Sequence, residues 1–337
     1  MSVLRRLRPQ LIALAVVLGL IGVIAPGFFE LSFREGRLYG SLVDVCVRAA
    51  PVALLSIGMT LVIATRGIDL SVGAVMAICG AVAATLIAEG HGLATVVAAT
   101  LAIGLACGVW NGALVSLLEI QPIIATLILM VAGRGIAQLI TEGVILTFNH
   151  PGFAFLGSGA VLGLPMPVLI WLAAGLAVGA LARLTALGLL IEAIGINRRA
   201  AQFAGVRARA LLIAVYAVSG LCAAVAGMIV TADIRGADAN NAGLWLELDA
   251  ILAVVIGGGS LAGGPFSIAA SLIGALIIQA INTGILIAGW PPEFNLVIKA
   301  AVIIVILTLQ SPAVALRLEA LRLSCAARAA RKKATQP

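Results

Sequence analysis

The sequence predicts an all-α, polytopic membrane protein with about ten transmembrane helices, and three observations lead to this fold class. Hydrophobic residues make up 62% of the 337 residues and charged residues only 10%, whereas about a quarter of a soluble domain is charged. The mean hydropathy is +1.20, so lipid must cover much of the surface. Apolar runs close to the roughly 20 residues that a bilayer requires recur along the chain. In hydrocarbon such runs are expected to be helical, because unpaired backbone groups are costly there.

The first candidate span is the apolar run Leu11–Ala25, which follows Arg5, Arg6 and Arg8. This arrangement also fits a cleavable signal peptide. A proline and bulky aromatic residues follow where small residues would favour cleavage, so we predict a retained span. A mixed-charge loop is predicted over residues 30–45. The other nine candidate spans are 46–65, 70–88, 93–116, 122–141, 164–182, 210–232, 249–262, 266–288 and 294–311.

Basic residues predict the orientation of the chain, because cytoplasmic loops carry an excess of Lys and Arg. Ten spans place both termini on one side. With a cytoplasmic N-terminus, the outside loops hold only Arg34, Arg37 and Arg235. The inside segments then hold fifteen basic residues: Arg5, Arg6, Arg8, Arg66, Arg183, Arg198, Arg199, Arg207, Arg209, Arg317, Arg322, Arg328, Arg331, Lys332 and Lys333. Both termini are therefore predicted to be cytoplasmic. The predicted domains are a basic N-terminus (1–10), a transmembrane domain (11–311) and a basic tail with an interfacial helix (312–337).

The cytoplasmic loop 183–209 is the longest basic interval without an apolar run of membrane length. Inside it, Asn197 is a good helix N-cap and Gly205 a good C-terminal stop, so a short helix is predicted over residues 198–204. Two arginines fall in its first turn, where the helix dipole disfavours positive charge. They are either topology signals that face anionic lipid or part of a surface helix that docks into another protein.

Several functions are excluded by the residues that they need. ATP hydrolysis needs a P-loop that ends in Gly-Lys-Ser/Thr, and none of the three lysines follows a glycine. The pattern Gly257-x-Gly259-x-x-Ala262 lacks the acidic partner of a dinucleotide site, so we attribute it to chance. The two histidines and five cysteines lack metal-ligand spacing, and Asp69 and Ser71 lack a partner histidine. No enzyme is predicted.

The net charge of +7 does not indicate binding to nucleic acid, because the basic residues cluster beside apolar spans.

Polar residues inside the spans are candidates for a substrate pathway. Arg134 and Gln138 lie four residues apart on one helix face. An arginine at this position should face the protein interior and find an acid or a carbonyl, either to lock helices together or to border the pathway. Asn111, Gln279 and Asn282 are likewise either interhelical hydrogen-bonding groups or pathway residues.

Glycines predict close helix contacts and one interrupted span. Gly104, Gly108 and Gly112 recur every four residues, as they do where helix backbones approach one another. The span at 249–262 is short and broken by glycines, which is typical of moving parts or permeation routes in transporters. The neighbouring run Asp233–Asp249 contains amides, carboxylates and a tryptophan. It suits either a polyhydroxylated solute or the docking of a soluble partner.

Three stretches resemble the permease subunits of ribose-type ABC sugar importers: Gly67–Gly73, Glu192–Val206 and the run from Glu247 to Gly264. The resemblance covers residues 11–311 in the same order. At Arg66, next to the first stretch, the family usually has glycine.

Two further stretches, Val131–Gln138 and Asp233–Asp249, resemble galactofuranose importer permeases more than ribose permeases.

This resemblance implies a permease that moves a monosaccharide from periplasm to cytoplasm across the bacterial inner membrane. The sugar would be galactofuranose or a relative such as ribose or galactose. The implied partners are a second permease subunit, identical or related, a cytoplasmic ATPase that binds the ATP, and a periplasmic sugar-binding protein. No cofactor is expected in this chain. The implied ATPase-coupling residues are Glu192, Gly195, Asn197, Arg198, Arg199, Ala200, Ala201, Phe203 and Gly205. The pathway candidates are Asn111, Arg134, Gln138, Trp245, Gln279 and Asn282.

Two other functions stay open. A branched-chain amino-acid ABC permease has a similar plan and a different solute. A self-contained secondary transporter should carry paired intramembrane acids for ion coupling, and the predicted spans contain almost none.

Overall fold

The computed structural model describes residues 3–25, 27–34, 36–291 and 293–310, and these are predominantly helical, as predicted. The helices are α1 (Val3–Ile24), α2 (Ser41–Arg48), α3 (Ala50–Ala64), α4 (Val72–Ala88), α5 (Leu93–Ser116), α6 (Pro122–Ile140), α7 (Pro151–Ser158), α8 (Met166–Leu184), α9 (Leu187–Ile196), α10 (Arg198–Phe203), α11 (Ala208–Ile234), α12 (Leu246–Ile256), α13 (Ile268–Ile287) and α14 (Phe294–Gln310).

Short strands, which the sequence did not predict, pair in three antiparallel two-stranded units. One of them lies inside the predicted loop 30–45, which also contains the start of α2. The pairs are β1 (Ser32–Arg34) with β2 (Arg37–Tyr39), β3 (Leu146–Thr147) with β6 (Gly236–Ala237), and β4 (Ala160–Val161) with β5 (Leu164–Pro165). The all-α class therefore holds for the spans but not for the connections.

Six of the described helices are long and apolar enough to cross a membrane: α1, α5, α6, α8, α11 and α13. Each coincides with a predicted span. The predicted span 46–65 is instead a bent pair, because the axes of α2 and α3 differ by 43°. The break at Ala49 lies beside Pro51, whose ring removes a backbone donor and crowds the preceding turn.

The three remaining predicted spans correspond to shorter helices. Helices α4 and α14 have 17 residues each, and α12 has only 11. An 11-residue helix is about 16 Å long, roughly half of the 30 Å hydrocarbon core. The prediction of a helix to residue 262 is wrong, because the chain turns after Ile256. Gly258 and Gly263 adopt φ values of 85° and 79° there, which glycine tolerates and other residues avoid.

Two helices were missed by the sequence analysis. Helix α7 lies in the connection before α8, and α9 lies in the loop 183–209. Both are shorter than a membrane span, so the length of an apolar run did not reveal them. The predicted interfacial helix of the tail 312–337 lies outside the described residues.

The chain divides after Gly284 into two compact units. The first contains α1 to α12 and most of α13. Of the second, the structure describes the end of α13 and helix α14. The candidate functional residues lie in the first unit.

Helix α11 is the centre of the first unit, and glycines bring its neighbours to backbone distance. A Cβ atom on Gly108 would overlap the carbonyl oxygen of Tyr216, and Gly104 and Gly112 likewise leave no room for a side chain against α11. The glycine stripe on α5 is therefore a close helix contact, as predicted. Helix α3 approaches α11 in the same way, since Gly58 lies against Ser219.

The first unit has two ends. The basic end gathers the turn 65–71, the connection 117–121, residues 183–209 and the turn 257–267. It is tied together by contacts such as Gln10 Nε2 donating to the Gly257 carbonyl at 3.0 Å. The opposite, hairpin end gathers the strand pairs, where Leu38 N donates to the Gly163 carbonyl at 2.9 Å.

We predict that Gly108→Ala destabilises the protein by about 1–3 kcal/mol, the usual effect of overpacking, because the new methyl group would push α5 away from α11. Thermal unfolding of the purified protein in detergent measures the effect. Gly179→Ala is the matched control, since nothing lies within 4 Å of a Cβ atom there. Equal melting temperatures for the two variants would contradict the close contact.

Candidate functional site

The predicted surface helix is present as α10. The side chain of Asn197 caps it by accepting a hydrogen bond from Ala200 N at 3.0 Å. Gly205 follows with a φ of 86° and open space around it, so it ends the helix as predicted. The helix stops at Phe203, one residue before the predicted boundary.

The α10 side chains separate into an inner and an outer face. Ala201 is buried and packs with Ile194, Ala208 and Leu212. On the other face, Phe203 is 93% exposed, and Arg199 and Ala200 are also exposed. Phe203 therefore presents an almost fully exposed aromatic side chain at the end of α10.

Several of the predicted coupling residues fasten α9 and α10 to the core instead of facing outward. A Cβ atom on Gly195 would overlap the Ala64 carbonyl oxygen and also crowd Gly264 N. Glu192 Oε1 accepts a hydrogen bond from Phe266 N at 3.4 Å. These contacts join α9 to the end of α3 and to the turn after α12.

Arg198 also faces the core. Its Nη2 atom donates to the Ser116 carbonyl at 3.3 Å, so this arginine attaches α10 to the end of α5. Of the two arginines in the first turn of α10, only Arg199 is exposed for contact with lipid or a partner.

The packing behind these attachments is incomplete. A cavity of about 240 Å³ lies between the turn at Arg66, the connection at Gln121, and Ile194 and Arg198. An open apolar groove of about 490 Å³ lies on the other side, along α11 beside Val206. Residues 187–206, the α9–α10 segment, therefore have empty space on both sides of their packed contact with α11.

A buried polar chain lies behind this segment, at the start of α4. Asp69 accepts hydrogen bonds from Ser71 N at 3.1 Å, Ser71 Oγ at 2.6 Å and Ser219 Oγ at 2.8 Å. Ser71 Oγ in turn accepts a hydrogen bond from Asn111 Nδ2 at 2.8 Å. All four residues are buried, and the hydrogen bonds offset the cost of burying the carboxylate.

Through this polar chain Asn111 ties α5 to the α3–α4 turn. Ser219 was missed by the sequence analysis, since a single serine in an apolar helix carries no signal of its partner. Gln279 and Asn282, on α13, contact each other at 3.5 Å, and Gln279 also reaches Thr283.

At the hairpin end, Arg134 and Gln138 hold the segment 238–245. Arg134 Nη1 donates to the carbonyl oxygens of Ala242 at 2.5 Å and Ala239 at 3.2 Å. The expectation that this arginine faces the protein and finds a carbonyl is confirmed. Gln138 Nε2 donates to Asn240 Oδ1 at 2.9 Å.

The segment is also ordered internally by Asp238. A hydrogen bond from Asn241 Nδ2, at 2.8 Å, and others from the backbone amides of Asn240 and Asn241 lower the pKa of Asp238 below its ordinary value. The carboxylate is therefore ionised at neutral pH and holds the turn.

The segment 238–245 leads directly into the half-length helix α12. Gly243 lies against the backbone of Gly73, in the first turn of α4. Trp245 has a left-handed φ of 65° and is 54% exposed. Helix α12 begins after a turn at Trp245, and Glu247 lies in its first turn. The Glu247 carboxylate lies against Gly73, at the positive end of the α4 helix dipole.

Comparison with known proteins connects this arrangement to transport. A family model described as "Branched-chain amino acid transport system / permease component" matches residues 41–307. The chain belongs to this permease family. The matched region includes the α9–α10 segment, the Asp69 polar chain and the 238–245 segment.

Individual relatives extend over almost the whole chain. The galactofuranose transporter permease of Escherichia coli (strain K12) is 60% identical, over 90% of this chain and 89% of the relative. The fructose import permease of Bifidobacterium longum (strain NCC 2705) is 41% identical, over 90% and 87%. The ribose import permease of Escherichia coli (strain K12) is 38% identical, over 88% and 90%. No solved structure matches the chain.

We predict that Arg134→Leu lowers stability, because two charge-assisted hydrogen bonds, each contributing about 1.5–3 kcal/mol, would be lost. Melting in detergent and solute uptake in proteoliposomes are both measured. Leu139→Ala, at an exposed site on the same helix, is the control. A stable variant without uptake would instead favour a pathway role, and a variant normal in both assays would remove Arg134 from both roles.

We predict that Asn197→Ala frays the first turn of α10, because loss of an N-cap destabilises a helix by about 0.5–2 kcal/mol. Amide hydrogen exchange should rise at residues 198–201. Asn197→Asp keeps a capping oxygen and should exchange like the wild type. Slow exchange in the alanine variant would show that the cap is not needed.

Proposed function

We propose that the chain is the membrane-spanning permease subunit of an ABC importer that moves galactofuranose, or a related monosaccharide, from the periplasm to the cytoplasm. The observation that carries this proposal is the 60% identity, over nearly the whole length of both chains, to a galactofuranose transporter permease. The fructose and ribose import permeases among the relatives support a sugar as the solute. The protein would act in the bacterial inner membrane.

The proposed topology has ten spans with both termini in the cytoplasm. The six long helices, the α2–α3 pair and the shorter helices α4, α12 and α14 account for ten crossings or part-crossings. The basic end would face the cytoplasm, because the positive-inside rule places clustered arginines there. The sugar would then enter at the hairpin end.

The proposed partners supply what this chain lacks. A cytoplasmic ATPase subunit would bind ATP and receive α10 in a groove, with Phe203 as the apolar anchor and Arg199 beside it. A periplasmic sugar-binding protein would deliver the sugar at the hairpin end. A second permease subunit, identical or related, would complete the pathway.

The mechanism follows from how the α9–α10 segment is attached. When the ATPases close on ATP, they would displace α10. Because Gly195 touches Ala64 and Glu192 binds the turn before α13, the displacement would reach α3, α12 and α13 together. Helix α12 would transmit this displacement to the 238–245 segment. The hydrogen bonds from Arg134 to this segment would then determine how the hairpin end moves.

Two other functions predict different results. The description of the family names branched-chain amino acids, so an amino-acid permease is the alternative within the family. A secondary transporter would work without an ATPase.

The decisive experiment is reconstitution in proteoliposomes with the ATPase and the sugar-binding protein of the same importer. ATP-dependent uptake of labelled galactofuranose is expected, with galactopyranose, ribose and leucine as competitors. Uptake of leucine alone would replace the sugar assignment with the amino-acid one. Uphill uptake by the chain without its partners would overturn the ABC assignment.

We predict that Gly205→Asp inserts and assembles normally but loses sugar-stimulated ATP hydrolysis, because a charge would enter the docking surface beside Phe203. The open space around Gly205 allows the side chain without a clash. Gly205→Asn is the matched control, since Asn tolerates the left-handed backbone and is uncharged. Hydrolysis and uptake at the wild-type rate in the aspartate variant would show that α10 is not the coupling helix.

A further inference from the structure

Arg66, directly after α3, joins three segments with one side chain. Its Nε atom donates to the Ala262 carbonyl at 2.7 Å, and its Nη2 atom donates to the Ile196 carbonyl at 2.8 Å. Ile196 is the last residue of α9, next to the cap of α10, and Ala262 lies in the turn between α12 and α13. The planar guanidinium makes such a two-way bridge with little freedom.

The backbone of Arg66 is in a conformation that does not favour a residue with a side chain. Its φ is 64°, a left-handed value that is uncommon for any residue but glycine. Glycine adopts such a backbone without strain, whereas a residue with a Cβ atom does not. The arginine adds no stability through its backbone, so its contribution lies in the two hydrogen bonds.

The hydrogen bonds of Arg66 resist separation of the segments that they join, which the glycine contacts do not. The contact of Gly195 with Ala64 resists only compression, because van der Waals surfaces push apart but hold weakly when separated. The hydrogen bonds from Arg66, together with Gly264 N donating to the Ala64 carbonyl at 3.0 Å, resist separation. They do so beside the 240 Å³ cavity.

We propose that Arg66 is a positioning residue. Through its two hydrogen bonds, α3 and the α12–α13 turn follow the α9–α10 segment when it moves away from them as well as when it moves toward them. This inference rests on the proposed function, in which α10 follows the ATPase as it closes and reopens. With Arg66 present, the movement of α10 when the ATPase reopens also displaces α12. Without Arg66, the contact of Glu192 with Phe266 N would remain as a hydrogen bond from α9 to the α12–α13 turn, and α12 would follow α10 less closely.

The test uses the complete importer with Arg66→Gly, which removes the bridge and also relieves the backbone, so folding should survive. We expect the ratio of sugar-stimulated to basal ATP hydrolysis to fall about fivefold, at the low end of typical couplings between sites. The sugar transported per ATP should fall with it. Arg66→Lys, a single point donor, should give an intermediate ratio.

Glu142→Gly is the matched control. Glu142 is an exposed, charged residue with a φ of 54° at the hairpin end, so this variant relieves a left-handed backbone without removing the bridge. It should keep the wild-type ratio. A second readout needs no partner: in the full chain in lipid nanodiscs, amide exchange across residues 194–205 should be faster in Arg66→Gly than in the wild type or Glu142→Gly.

The outcomes separate the two proposals. If the wild-type importer shows sugar-stimulated hydrolysis and Arg66→Gly keeps the same ratio, the inference about Arg66 is wrong and the proposed function stands. If the wild-type importer shows no sugar-stimulated hydrolysis, the proposed function fails and this inference fails with it.

Discussion

Helix α11 packs at backbone distance against its neighbours, and the rest of the first unit depends on that contact. Lipid tails are as apolar as leucine, so burial of apolar side chains does little to drive helices together in a membrane, and close van der Waals contact must replace it. Gly58 on α3, Gly108 on α5 and Gly227 on α11 itself remove the side chains that would keep the backbones apart. The position of α11 then sets where Ser219 and Leu212 lie.

Close packing also makes the buried polar chain possible. Asp69, in the α3–α4 turn, reaches Ser219 on α11, and Asn111 on α5 reaches Ser71, each at 2.8 Å. Short side chains can bridge helices only when the backbones already approach closely. Asp69 keeps its hydrogen bond from Ser219 only while α11 stays in place, and an unpaired buried polar group is costly. Glycine contacts and polar contacts therefore support one another around the α3–α4 turn.

The features that the sequence predicted correctly are those whose cause is local. The cap at Asn197, the stop at Gly205 and the glycine stripe on α5 depend on residues within a few positions. Arg134 was also predicted to find an acid or a carbonyl, because an arginine inside a span needs a partner, and it binds two carbonyls. Helix α9 was missed because ten apolar residues are too few for a span. Partners far along the chain, such as Ser116 for Arg198, leave no trace in local sequence. Two-residue strands are too short to show alternation.

The polar residues expected to line a solute pathway mostly bind the protein itself. Arg134 and Gln138 hold the 238–245 segment, Asn111 joins the Asp69 chain, and Gln279 contacts Asn282. Donor groups engaged in this way contribute little affinity for a sugar, since binding it would first break hydrogen bonds within the protein. The amide oxygens of Asn111 and Asn282, in contrast, have no hydrogen-bond partner among the described residues. The low affinity of the engaged donors suits the proposed division of labour, in which a soluble partner holds the sugar tightly and the permease only lets it pass. A strong site inside the membrane would slow release, whereas firmly held segments keep the motion of α10 directed toward α12.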